Sequence, residues 1–139
     1  MKKVVIFDAY GTLFDVNAAA RNYSKETADI NFINTWEKVS KLWREKQIAY
    51  TWYYTSIGYK TNFWKVTEDS LDYALEFYNL KDNKNIRNNL LKLYRKLDTF
   101  PEVMEVLKYL KSRGCSSAIL SNGTIEMLSD AVTSSKIGD

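Results

Sequence analysis

Asp8 is the residue in this chain best placed to do chemistry. It ends an unbroken apolar run, Val4-Val5-Ile6-Phe7, and is followed by Ala9-Tyr10-Gly11-Thr12. A second short run, Ser116-Ser117-Ala118-Ile119-Leu120, stops at Ser121-Asn122-Gly123. The β-branched first run suits a strand buried on both faces of a parallel sheet. Open α/β sheets bind their ligands beyond the carboxyl ends of their strands. If the two runs are parallel neighbours, the Asp8 carboxylate meets the Ser121 hydroxyl, the Asn122 amide and the first N–H groups of a following helix. Those N–H groups favour an anion. Such a set suits a nucleophilic aspartate attacking carbon or phosphorus to form an ester or acyl phosphate. Ser, Thr and Asn donors would then hold the substrate's anionic group. Taken alone, Asp8 fits a plain turn cap equally well, since Asp is common in loops ahead of Gly.

Composition narrows the chemistry further. The sequence contains no histidine, which removes His-based triads, most zinc sites and the commonest general base. Carboxylates, lysine, hydroxyls and arginine remain. A net charge of +3 with both signs interspersed is a solvated surface and not a nucleic-acid footprint. The 139 residues suit one domain, and 45% apolar with 14% aromatic content excludes general disorder. No apolar window is long enough to span a membrane, and no signal-peptide pattern opens the chain. The lone cysteine, Cys115, allows no internal disulfide. A soluble, cytoplasmic protein is expected.

These residues must be positioned by what lies between the two runs. Asp15 or Asn17 can cap a short helix through Ala18–Arg21; residues 21–31 are polar and show no period. A long helix is expected over 35–56, with Trp36, Val39, Trp43, Gln47, Tyr50 and Tyr54 on one stripe and Gly58 ending it. Two more follow over 62–79 (Phe63, Val66, Leu71, Leu75 and Tyr78 inward) and 84–97 (Ile86, Leu90, Leu91, Leu93 and Tyr94 inward). Pro101, capped by Asp98 or Thr99, opens a helix to Arg113 with Val103, Val106, Leu107 and Leu110 inward. Thr124 starts the last, with Ile125, Leu128, Ala131 and Val132 on its inner face. Helix between short strands is the pattern of a parallel α/β sheet. The expected fold class is therefore α/β, a Rossmann-like core of about two strands with an inserted all-helical cap. Residues 1–16 and 98–139 form the partial core and 17–97 the cap. The aromatic residues of the cap suit helix packing, and a minority could line a cleft against the sheet.

Phe7-Asp8-Ala9-Tyr10-Gly11-Thr12-Leu13, with Ile119-Leu120-Ser121-Asn122-Gly123 further on, resembles the first two motifs of the haloacid dehalogenase superfamily. The segment Leu42-Trp43-Arg44-Glu45-Lys46-Gln47-Ile48-Ala49-Tyr50-Thr51-Trp52 looks like the cap signature of its L-2-haloacid dehalogenase branch. Phosphatases of the superfamily carry a second carboxylate two places after the nucleophile, where this chain has Tyr10. A phenol titrates near pKa ~10 and cannot serve as a base near neutral pH, and one carboxylate is a poor Mg²⁺ site. The resemblance implies a hydrolase that works without metal or other cofactor on a short 2-haloalkanoic acid. Asp8 attacks the α-carbon, halide leaves with inversion, and water hydrolyses the ester. Arg44 accepts the halide as a cation where negative charge develops, although its spacing alone fits a surface arginine. Thr12, Ser121 and Asn122 position Asp8 and the substrate carboxylate, while Tyr10, Ile48 and Phe63 wall the substrate carbon. Glu45 departs from the branch, which often has an uncharged residue there. Pairing of two copies through the cap is a further implication.

The third and fourth motifs of the family, a lysine and then a Ser/Asn with an aspartate, belong to later strands, and Lys136 at a helix tail does not take the lysine's place. Two strands are below the usual four to six and leave Val4–Phe7 an open apolar edge. The expectation is a truncated or split form that is inactive by itself. An interaction module and a superfamily phosphatase are the alternatives.

Overall fold

A computed structural model describes residues 3–138. Lys2 at the start of the first run and Asp139 at the end of the expected core lie outside the described residues. Strand β1 (Val4–Phe7) pairs in parallel with β2 (Ser116–Ile119), with Val4 opposite Ser116 and Phe7 opposite Ile119. Between them lie α1 (Ala18–Glu26), α2 (Ile30–Ile33), α3 (Trp36–Ser56), α4 (Phe63–Phe77), α5 (Lys84–Tyr94) and α6 (Val103–Ser112), and α7 (Ile125–Ser135) follows β2.

The helical part is well packed because its stripes meet. Helices α3 and α4 lie together, and α1 rests on both α3 and α5. Val39, Leu71, Leu75, Ile86 and Leu90 are at most 1% exposed. The short helix expected over 18–21 continues to Glu26, burying Ala18, Ala19, Ala20 and Tyr23. Beyond Ala20 the helix offers one apolar side chain, Tyr23, too few to set a period, which is why its second half does not read as helix. Asp29 caps the single turn of α2 by accepting from Asn31 and Phe32 N–H groups, which seats Phe32 in the core.

Several expectations are corrected. β1 is not buried on both faces: Val4 and Ile6 are 57% and 62% exposed, as is Leu120 at 73%. With one neighbouring strand and one face open, a β-branched run cannot bury both sides. Neither Asp98 nor Thr99 caps α6, whose N-cap is Glu102 without a side-chain bond. Asp98 instead accepts from Arg21 and Asn22. Asn17 precedes α1 without capping it, because its carbonyl takes the Ser40 hydroxyl at 2.8 Å. Ile125 is 83% exposed and Val106 is 40% exposed; Met127 and Ala131 are the residues α7 buries. Tyr50, Tyr54 and Trp36 are only half-buried at the ends of the α3 stripe.

The two crossings between the sheet and the helical part are tied together. Asp15 N–H donates to the Asp98 carbonyl at 2.8 Å, and Phe100 N–H to the Leu13 carbonyl at 3.1 Å. Arg21 bridges the carboxylates of Asp15 (2.6 Å) and Asp98 (3.4 Å).

Candidate active site

The parallel register places the two strand ends side by side. Leu120 N–H donates to the Phe7 carbonyl at 2.9 Å, so Asp8 and Ser121 leave the sheet at the same edge. After Asp8 the chain turns tightly, as the Ala9 carbonyl accepts from Thr12, Leu13 and Phe14 N–H groups. Gly11 holds φ +98° in this turn, a region closed to most L residues. The turn returns Thr12 to donate its hydroxyl to Asp8 Oδ2 at 3.1 Å.

A cavity of about 180 Å³ lies between this edge and α3, lined by Asp8, Tyr10, Arg44, Ile48, Phe63, Ser121 and Asn122. Seven of the eight residues singled out from sequence thus face one space, and the eighth, Thr12, holds Asp8 from beside it. Thr51 and Trp52 line it too and were not singled out. Their signal was present: Ile48 and Thr51 follow Arg44 at helical spacing, on a face of α3 separate from the Val39–Trp43–Gln47 stripe.

Arg44 reaches across from α3. Its Nη2 donates to the Tyr10 carbonyl at 2.9 Å and its Nη1 to Gln47 Oε1 at 2.8 Å. It makes no ion pair among the described residues. Its positive charge is therefore solvated by neutral acceptors and left available to an anion in the cavity. Asp8 is the one carboxylate lining that space.

Tyr10 packs in an aromatic cluster beside the cavity. Its ring stacks on Tyr94 at 5.7 Å and tilts against Phe63 at 5.6 Å. Its hydroxyl is buried without a partner, and that burial pushes its pKa well above the usual phenol range. Gly123 answers the same ring: a Cβ there would come within 2.8 Å of Tyr10 Cε2. Some of the N–H groups ahead of α7 and in its first turn are already used, Gly123 N–H by Ser121 Oγ and Met127 N–H by Thr124 Oγ1.

The family model of haloacid dehalogenase-like hydrolases matches residues 2–138. The chain belongs to that family. It is 38% identical over 135 residues to (S)-2-haloacid dehalogenase 4A of Burkholderia cepacia, covering 97% of this chain and 56% of that protein. Haloacetate dehalogenase H-2 of Moraxella sp. (strain B) is 34% identical over 99% of this chain and 60% of its own length. Among solved structures, L-2-haloacid dehalogenase from Xanthobacter autotrophicus with chloropropionic acid covalently bound superposes with a TM-score of 0.83. It is 32% identical, over 100% of this chain and 54% of that one. The chain thus spans a little over half the length of these relatives. Their fold agrees with the parallel strands and helical block found here. No helix among the described residues is long and apolar enough to cross a membrane.

Proposed function

We propose that this chain carries the nucleophile and halide-accepting half of a haloacid dehalogenase active site. The substrate is a short (S)-2-haloalkanoic acid. Asp8 attacks the α-carbon, the carbon–halogen bond breaks, and the electron pair leaves with the halide toward Arg44. An ester on Asp8 remains. Water then adds to the ester carbonyl and the C–O bond to the enzyme breaks, regenerating Asp8 and releasing a 2-hydroxy acid. Thr12 orients Asp8, Ser121 and Asn122 hold the substrate carboxylate, and Tyr10, Ile48 and Phe63 enclose its carbon. The carrying observation is the convergence of Asp8, Arg44 and Asn122 on one cavity. Relatives named as dehalogenases of the same acids support the reaction class.

The hydrolytic step needs a base, and the family places it with a lysine beyond the two motifs matched here. Neither group lines the present cavity. Residues 17–97 act as cap and residues 1–16 with 98–139 as partial core, the crossing being fixed by the Asp15–Arg21–Asp98 clamp. Pairing of two copies through the cap belongs to the same proposal. Exposed Trp52, Tyr53, Ile57 and Phe77 support it, and sedimentation checks it.

The phosphatase alternative is disfavoured by the buried, unpartnered Tyr10 hydroxyl where a second carboxylate would stand. Purified protein is assayed for halide release from (S)-2-chloropropionate and for Mg²⁺-dependent phosphate release from p-nitrophenyl phosphate. At most one equivalent of halide, released as the ester forms on Asp8 without turnover, and none from Asp8→Asn, is the expected result. Strong phosphatase activity with no halide release overturns the proposal.

A further inference from the structure

Gln47 sits on the apolar stripe of α3 and is 1% exposed, between Trp43 and Tyr50 in helical order. A buried amide is costly unless its groups are paired. All of its polar capacity is directed. Oε1 accepts from Arg44 Nη1 at 2.8 Å and from the Tyr94 hydroxyl at 3.3 Å, and Nε2 donates to Thr67 Oγ1 at 2.7 Å and to Tyr94 OH at 3.0 Å. Thr67 Oγ1 in turn donates to the Phe63 carbonyl at 2.8 Å. A guanidinium can only donate, so Oε1 must face Arg44 and Nε2 must face away. The donors therefore run one way, from Arg44 through Gln47 and Thr67 to the backbone of Phe63, which itself lines the cavity.

Thr67 is held in turn. It is 0% exposed, and its carbonyl accepts Trp43 Nε1 at 2.9 Å. The chain of bonds joins α3 to α4 and α5 through side chains that are at most 2% exposed. A leucine would fill the space in an ordinary core. The amide instead fixes the guanidinium with a neutral acceptor, so the charge is oriented without being cancelled.

We propose that Gln47, backed by Thr67 and Tyr94, is a positioning residue for Arg44, holding its guanidinium toward the cavity as an uncompensated anion acceptor. The anion role of Arg44 rests on the function proposed above; its immobilisation does not. The two parts are separable in one experiment on the isotope-labelled full chain, with NMR of arginine side-chain N–H groups and titration with sodium bromide.

In the wild type the Arg44 Nη protons are expected to be resolved and slow to rotate, and to shift on adding bromide. Gln47→Leu is expected to average those signals and weaken bromide binding by about tenfold, the size of a lost bond to a charged group. Gln47→Glu is expected to keep Arg44 ordered yet weaken bromide binding, because the new carboxylate cancels its charge. Thr67→Val should loosen Arg44 in part and Thr67→Ser should restore it, which serves even if Gln47→Leu does not fold. An Arg44 that stays ordered in folded Gln47→Leu or Thr67→Val overturns the proposal. Ordering that depends on Gln47 without any bromide effect in the wild type upholds the positioning and removes Arg44 from the proposed function.

Discussion

The helical block and the two-stranded sheet are built from residues of similar hydrophobicity, yet they end in opposite states. Leu71, Leu75 and Leu90 are at most 1% exposed, whereas Val4, Ile6 and Leu120 stand 57–73% exposed on the open face of the sheet. Burial comes from neighbours, not from the side chain. Four long helices supply one another with partners, while two strands leave a face without any. The contrast assigns the roles as well: the block carries the stability, and the sheet supplies the edge at which Asp8 meets Ser121 and Asn122.

This comparison is open to breaking. Leu90→Ala in the block is expected to cost about 2–5 kcal/mol, through lost burial and a residual cavity. Ile6→Thr in the sheet is expected to change stability by no more than about 0.5 kcal/mol. Urea unfolding of both variants checks the pair, and equal losses would show that the sheet face is covered in solution. Next in size is Gly123→Ala, whose Cβ would strike the Tyr10 ring at 2.8 Å. It should cost roughly 1–3 kcal/mol as overpacking, and the same Gly123→Ala change should cost less in a Tyr10→Ala background, where the clashing ring is gone.

The join between the two regions gives a smaller effect. Asp15 is largely covered by Arg21, with 14% of its side chain exposed. Asp15→Asn is expected to lower stability by about 1 kcal/mol, and to speed proteolysis around residues 15–21 and 98–100. An effect of similar size at neutral pH lies in the block's polar centre. Tyr94→Phe removes the hydroxyl that accepts from Gln47 Nε2 and donates to its Oε1, a neutral contact worth roughly 0.5–1.5 kcal/mol. It has a pH signature. Burial pushes the Tyr94 pKa from 10.0 up to about 12. The raised value means that the folded state favours the neutral phenol. The stability this gives is complete below pH 10 and is lost as pH rises through 12. Tyr94→Phe should flatten that alkaline loss, as read by urea midpoints across the range.

Much of the site was legible because strand-end acids and hydroxyls carry their own address. Asp8, Ser121 and Asn122 follow from two apolar runs in parallel order, whereas Arg44 and Phe63 come only through the family resemblance. What the sequence hid was burial that depends on partners. The unbroken apolar run of β1 says nothing of whether a second layer exists. Ile125 fits an inward stripe, yet it lies in the first turn of α7 beyond the core, and Met127 takes the buried place. Gln47 read as one polar lapse in an apolar stripe, since only the fold brings Thr67 and Tyr94 to it. Thr51 and Trp52 share the cavity-facing side of α3 with Arg44 and Ile48, and only the fold shows how far along the helix that side lines the cavity.

The central claim is that Asp8 is the nucleophile, and its most direct test is the covalent state of that side chain. The chain is incubated with (S)-2-chloropropionate, quenched with acid, digested and examined by mass spectrometry. A carboxyethyl ester on the peptide carrying Asp8, absent from Asp8→Asn, is the result the account predicts. Halide release with Asp8 unmodified under every quench, or an adduct that persists in Asp8→Asn, would contradict it.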